Sequence, residues 1–152
     1  MLRSDGLDVV VMHVGSPSRE LVQRLGAGYR CEGVVSPQTV SERLSAMDVL
    51  LLPYPDGVSG RRTAFMAGLQ HGCAIAGTYG AATEGLLKVA SGEAYALSAC
   101  EDLGGWCQNV RLLVHSSDTQ MRLRDNARRM YSDTFGWPHV AKRCLDGLGS
   151  VR

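Results

Sequence analysis

Five short segments of this chain are dense in Val, Ile, Leu and Tyr, and each is bounded by turn residues: Asp8–Val14, Tyr29–Val35, Asp48–Tyr54, Cys73–Tyr79 and Ala94–Ala99. Runs of this kind read as β-strands. They start 21, 19, 25 and 21 residues apart, and the intervals carry helical spacing, as at Val40, Leu44 and Met47. A fuller helical stripe follows the fifth run, with Leu103, Trp106, Cys107, Val110, Leu113 and Val114 on one face. Several strands lack polar alternation, notably "VVVMHV" and "VLLLPY". That is the pattern of parallel strands covered by helices on both faces. The expected fold is therefore α/β: a three-layer, Rossmann-like domain with a mostly parallel sheet of about five strands flanked by helices and joined by right-handed crossovers.

Beyond the last strand the pattern is wholly helical. A helix runs to about His115, and Ser117 or Asp118 can cap the next, whose inner face is Leu123, Ala127 and Met130. Pro138, after Trp137, marks a new start or a kink. The chain shows no internal repeat, no low-complexity tract and no dividing linker. One domain spanning residues 1–152 is expected, with frayed ends.

Composition adds exclusions. With 152 residues and 45% hydrophobic content the chain can bury one core. Sixteen Lys and Arg against 15 Asp and Glu give a net charge of +1, which argues against a broad nucleic-acid or anionic-membrane surface. No apolar run approaches the roughly 20 residues of a membrane helix, and no signal peptide opens the chain, so a soluble, cytoplasmic protein is expected. Five cysteines, Cys31, Cys73, Cys100, Cys107 and Cys144, include no C-x-x-C pair and accompany no clustered histidines. They read as small buried hydrophobes rather than a zinc site or a disulfide framework. Trp106 and Trp137 are expected in the core, His13 as a hydrogen-bonded strand residue, and His71 as a cation at a helix carboxyl end.

The chemistry gathers in "DVLLLPYPDGVSGRRTAFMAGLQHGCAIAGTYG", Asp48 to Gly80. An apolar strand breaks into Pro55, Asp56, Gly57, Val58, Ser59 and Gly60, then meets Arg61 and Arg62 where a helix to His71 begins. Ligands of open α/β sheets bind at the carboxyl ends of strands. Free N–H groups at a helix start favour an anion, and guanidinium groups hold phosphate oxygens in pairs. A capping role for Asp56 or Ser59, with solvated arginines, explains the same loop without a ligand. Two more glycine-bearing turns follow other strands: Gly15-Ser16-Pro17-Ser18, and Thr78 through Gly80 to Glu84. Three such loops on one sheet edge would form a crevice for a phosphate-bearing ligand, although none has a G-x-G-x-x-G or G-x-x-x-x-G-K-[ST] signature.

Taken in order, "HVGSPSRELVQRL", the run from "YRCEGVV" to "GTYG", and "MRLRDNARRMYSDTFGWPHVAKRCLDGL" resemble the carboxyl-terminal, donor-binding domain of GT-B glycosyltransferases of family 4. The matching parts are Val14-Gly15, Gly33-Val34-Val35, Leu44 through Pro53, Asp56-Gly57, the small-residue helix Ala64 to Gly72, and Phe135-Gly136-Trp137. The resemblance implies binding of a nucleotide-diphosphate sugar as donor substrate, without cofactor or metal. It places the base near Gly33, Val34 and Val35, the diphosphate near the helix start, the sugar near Asp56 to Ser59, and an acidic or polar loop residue at Glu84. The complete enzymes transfer the sugar with retention.

Three departures qualify that expectation. The glutamate the family carries on the small-residue helix falls at or near Ala67, the acidic loop is about three residues longer and opens with Asp56, and the strand and turn bearing an Arg and a Lys are absent along with the acceptor domain. Arg3, in "MLRSDGLD", reads as the tail of the helix after that strand. Arg61 and Arg62 are then candidate substitutes for lost phosphate contacts, and the chain is expected to be inactive alone. Direct closure of the sheet would give the order 2-1-3-4-5, whereas an unclosed edge would invite a second copy of the chain and a dimer. A separate acceptor domain is the other partner the resemblance implies. The alternative function is a non-catalytic, flavodoxin-like binding or protein-interaction module.

Overall fold

The computed structural model describes residues 6–17 and 19–149. Arg3 and Ser18 lie outside the described residues. All five predicted strands form, each shorter than its apolar run: β1 (Val11–Val14), β2 (Tyr29–Gly33), β3 (Leu50–Leu52), β4 (Ile75–Tyr79) and β5 (Ala96–Ala99). Between and after them lie α1 (Arg19–Leu25), α2 (Pro37–Ala46), α3 (Thr63–His71), α4 (Gly85–Val89), α5 (Leu103–His115), α6 (Ser117–Met130) and α7 (Trp137–Gly149). The α/β class and the helical carboxyl terminus hold.

The single five-stranded sheet does not. Strands β1 and β2 pair in parallel as one sheet, and β3, β4 and β5 pair in parallel as another, in that order. Among the described residues no pairing joins β1 to β3, so the order 2-1-3-4-5 is not formed. With four and three residues, these two strands can offer only a few ladder bonds each, and each makes them to its other neighbour. The chain correspondingly divides into two compact units on either side of the Arg43–Leu44 bond.

In the first unit β1 and β2 register Val11 with Tyr29 and His13 with Cys31, with a shift before Val14 that pairs with Gly33. As expected, His13 is a hydrogen-bonded strand residue: its Nδ1 lies 2.7 Å from the Tyr29 hydroxyl. The Gly15 N–H donates to the Gly33 carbonyl at 2.8 Å, joining the turns that end the two strands.

The second unit holds the core. Leu52, Phe65, Leu69, Ile75, Leu87, Tyr95, Val110, Leu113 and Leu123 are all buried. Small residues on α3 serve close packing: a Cβ at Gly68 would lie 2.5 Å from Leu50 Cδ2 and 3.1 Å from Ile75 Cδ1. Phe65 and Tyr95 meet edge to face, with ring centroids 5.2 Å apart. Helix α3 ends at Gly72, whose φ of 62° is the left-handed C-cap that glycine favours. Helix α6 is capped by Ser116, one residue before the predicted candidates, because its hydroxyl reaches the Thr119 N–H at 3.2 Å. The chain then passes through a π-helical turn, Tyr131–Phe135, before α7.

Several core expectations fail. Trp137 is 81% exposed at the start of α7, and of the five cysteines only Cys73 is buried, with Cys31, Cys100 and Cys107 half-buried and Cys144 exposed. Trp106 is half-buried, with its indole N–H directed at the Ala76 carbonyl. No helix among the described residues is long and apolar enough to cross a membrane.

Candidate functional site

Strand β3 ends at Leu52, and the chain then makes the loop predicted to carry the chemistry. The loop is tied into the second unit by its backbone. The Val58 N–H donates to the Thr78 carbonyl at 2.8 Å, and the Ala82 N–H donates to the Asp56 carbonyl at 2.9 Å. The loop after β3 and the loop after β4 are thus laced together at the carboxyl edge of their sheet. Gly57 and Gly80 allow this. Gly57 has φ 92°, and a Cβ there would run into Thr83 Oγ1 and the Gly80 backbone nitrogen. A Cβ at Gly80 would lie 2.6 Å from Cys100 Sγ and 2.8 Å from the Asp56 carbonyl oxygen. These two glycines serve loop-to-loop approach.

Individual side chains divide into buried and presented groups. Val58 is completely buried and Ser59 nearly so, so both act as the loop's anchor in the core. Thr78 is buried, and its hydroxyl donates to the Tyr54 carbonyl at 2.6 Å. Asp56 and Arg62 form an ion pair, and the Arg62 guanidinium also lies 4.4 Å from the centroid of the Tyr54 ring. Arg61 is exposed. Helix α3 starts at Thr63 with Arg62 as its N-cap residue and without a side-chain cap, so neither Asp56 nor Ser59 caps it.

Glu84 makes the most informative contact. It is the N-cap residue of α4, yet its side chain does not cap that helix. Instead its carboxylate accepts from the Gly60 N–H through both oxygens, at 3.3 and 3.2 Å. The loop amide that was expected to face a phosphate thus faces an acidic group of the same chain. Its charge reaches inward as well: burial first, and Glu84 second, push the Tyr95 hydroxyl well above the ordinary phenol range.

The remaining predicted residues lie in the first unit. Gly15 and Gly33 are joined by their backbone hydrogen bond, Ser16 is exposed, Val34 is 88% exposed and Val35 is half-buried. The three loops therefore do not share one sheet. Gly15 and Ser16 end a strand of the β1–β2 sheet, while the Asp56–Arg62 and Thr78–Glu84 loops end strands of the other.

A fourth loop at the β3–β4–β5 edge was not predicted. Pro53, Tyr54, Thr78, Ala99, Cys100, Leu103 and Trp106 line an open cleft of about 330 Å³ there. Its polar groups are turned inward: the Cys100 thiol points to the Tyr54 and Tyr79 carbonyls at 3.4 and 3.0 Å, and Asp102 caps α5 through the Gly105 N–H at 2.8 Å. The signal was available in "ACEDLGGW", where two acidic residues follow a strand and Gly104 and Gly105 open the next helix. Among the described residues no three His, Cys, Asp or Glu side chains gather as a metal-binding group. No family model and no curated protein matches this chain.

Proposed function

We propose that this chain is the donor half of a retaining GT-B glycosyltransferase, binding a nucleotide-diphosphate sugar and inactive without an acceptor domain. The observation that carries the reading is the strand–loop–helix passage from β3 to α3, where the Gly60 N–H already receives a carboxylate and Arg62 stands two residues away. Such donors suit the diphosphate, whose oxygens take the place of carboxylate oxygens. Arg61, exposed beside Arg62, adds a second cation. The loop's share of the reaction is to orient the donor and to stabilise the charge that grows on the departing diphosphate. Gly33 to Val35, with Gly15 and Ser16, remain the assigned base region and first-strand turn on the strength of the resemblance.

Calorimetric titration with UDP, GDP and ADP tests this reading. Micromolar binding of one nucleotide is expected, weakened at least about tenfold when Arg61 and Arg62 are both replaced by Ala. Absence of binding by all three would overturn it. A second reading, a non-catalytic interaction module, draws on α7, where Trp137, Leu145 and Leu148 are 81%, 69% and 74% exposed at helical spacing. Under that reading the chain binds no nucleotide and self-associates or captures a partner protein; nucleotide binding by a monomeric chain would remove it.

A further inference from the structure

We infer that Glu84 is an internal competitor for the anion, an acidic strap that must leave Gly60 before a phosphate group can enter; this rests on the nucleotide-binding reading above. An N-cap side chain ordinarily accepts from the first turn of its own helix. Glu84 forgoes that role and reaches to Gly60, 24 positions back in the chain, where both carboxylate oxygens sit within hydrogen-bond distance of one N–H. One N–H cannot fully satisfy two charged oxygens, so the contact saturates the donor and leaves the acceptor in excess. The second donor group of the loop is occupied in the same way, since Arg62 is paired with Asp56. The Gly60 N–H and the Arg62 guanidinium therefore each hold a carboxylate of the same chain, while Arg61 is exposed.

The surrounding backbone gives the strap a fixed frame. The Ala82 N–H to Asp56 and Val58 N–H to Thr78 bonds, and the Gly57–Gly80 approach, hold the two loops together whether or not Glu84 is engaged. Gly60 itself is uncrowded: a Cβ there would have Glu84 Oε1 at 3.6 Å and Phe135 Cε1 at 3.8 Å as its nearest neighbours. Glu84 is exposed, so its carboxylate can swing out by side-chain rotation alone, without unlacing the loops. A ligand phosphate replaces it donor for donor, and the observed affinity is the intrinsic affinity multiplied by the fraction of molecules with the strap open.

The test is titration of the full chain and of its Glu84→Ala and Glu84→Gln variants with UDP, GDP and ADP, together with the amide resonance of isotopically labelled Gly60. With the strap closed in about nine molecules of ten, Glu84→Ala tightens binding about tenfold. Glu84→Gln, which keeps an acceptor but loses its charge, tightens it by a smaller factor. In Glu84→Ala the Gly60 amide moves on losing the carboxylate and moves back as nucleotide is added. If the unaltered chain binds a nucleotide while Glu84→Ala binds it equally or more weakly, or with an unmoved Gly60 amide, the strap is overturned and the nucleotide reading stands. If the unaltered chain binds no nucleotide, the nucleotide reading falls and the strap with it. Because Glu84→Gln preserves the hydrogen bond, loss of folding in Glu84→Ala would still leave the sign of the effect readable.

Discussion

At Gly57 a single hydrogen in place of a methyl group lets two loops touch. With φ at 92° and the Gly80 backbone directly opposite, an alanine there must strain its own backbone and push the loops apart. Gly57→Ala should cost about 2 to 4 kcal/mol in urea unfolding. Gly60→Ala, with only ordinary contacts around it, should stay within about 0.5 kcal/mol. Equal costs would show that the loops are not locked through Gly57. The sequence displayed both glycines in the same turn, and composition could not separate them, because the difference lies in what the folded chain brings opposite each. Cys73 yields a second prediction. It is buried, its thiol donates to the Leu44 carbonyl at 3.2 Å, and burial pushes its pKa up to about 11 from 9.0, against the smaller opposing pull of Arg124 and Arg128. The folded state therefore favours the neutral thiol. Its contribution is complete below about pH 9 and is lost as pH rises from there toward 11. Relative to Cys73→Ala, the chain should lose roughly 2 kcal/mol of unfolding free energy across that window. A pH-independent difference between the two would refute the assignment.

Among the elements, α3 and α6 show how an apolar pattern conceals polar work. Both helices were legible from spacing, and Leu123 and Ala127 are buried as the α6 stripe indicated. The arginines of "MRLRDNARRM" carried no such signal, because a charged residue between apolar ones reads as a solvated face. In the fold, Arg124 sends Nε to the Gly72 carbonyl at 3.0 Å and a terminal nitrogen to the Met47 carbonyl at 3.2 Å, while Arg128 reaches the His71 carbonyl at 3.2 Å. These cations meet the carbonyl end of α3, where its dipole is negative and its last acceptors lack helical partners. His71, expected at this helix end, is the basic residue of the last turn of α3 and directs Nδ1–H to the Ala67 carbonyl at 2.8 Å within its own helix. Arg124→Ala should therefore cost about 2 kcal/mol, and Arg124→Lys should recover less than half of it, since one ammonium cannot serve two carbonyls in the fork geometry of a guanidinium. Full recovery by lysine would reduce the role of Arg124 to charge alone. Thermal or urea unfolding of the two variants against Arg129→Ala, an exposed neighbour, measures the difference.

For the molecule as a whole, strand count, order along the chain and parallel pairing were readable from the apolar runs, while the division into two sheets was not. A strand covered on both faces announces its burial but not its neighbour, and pairing is decided by which short ladders can close. The consequence is an uneven distribution of stability. Every buried apolar side chain described lies between Leu44 and Ala127, all within the second unit. The β1–β2 pair has only half-buried or exposed side chains, and a two-stranded sheet of that kind is marginal on its own. Amide exchange should follow this difference. The N–H groups of Ala76 to Tyr79 and Leu97 to Ala99, in the central strand and its partner, should exchange only by the largest openings, which expose the core around Phe65 and Tyr95. Those of Met12 to Val14 and Arg30 to Gly33 should exchange at least about a hundredfold faster, through an opening that leaves the second unit folded. Nucleotide binding adds a discriminating arm: saturating nucleotide should slow exchange at Gly60 and its neighbours, and unchanged exchange there would remove the ligand from this loop. Equal protection of both sheets without ligand would mean that the first unit draws its stability from contacts as strong as the Phe65–Tyr95 core.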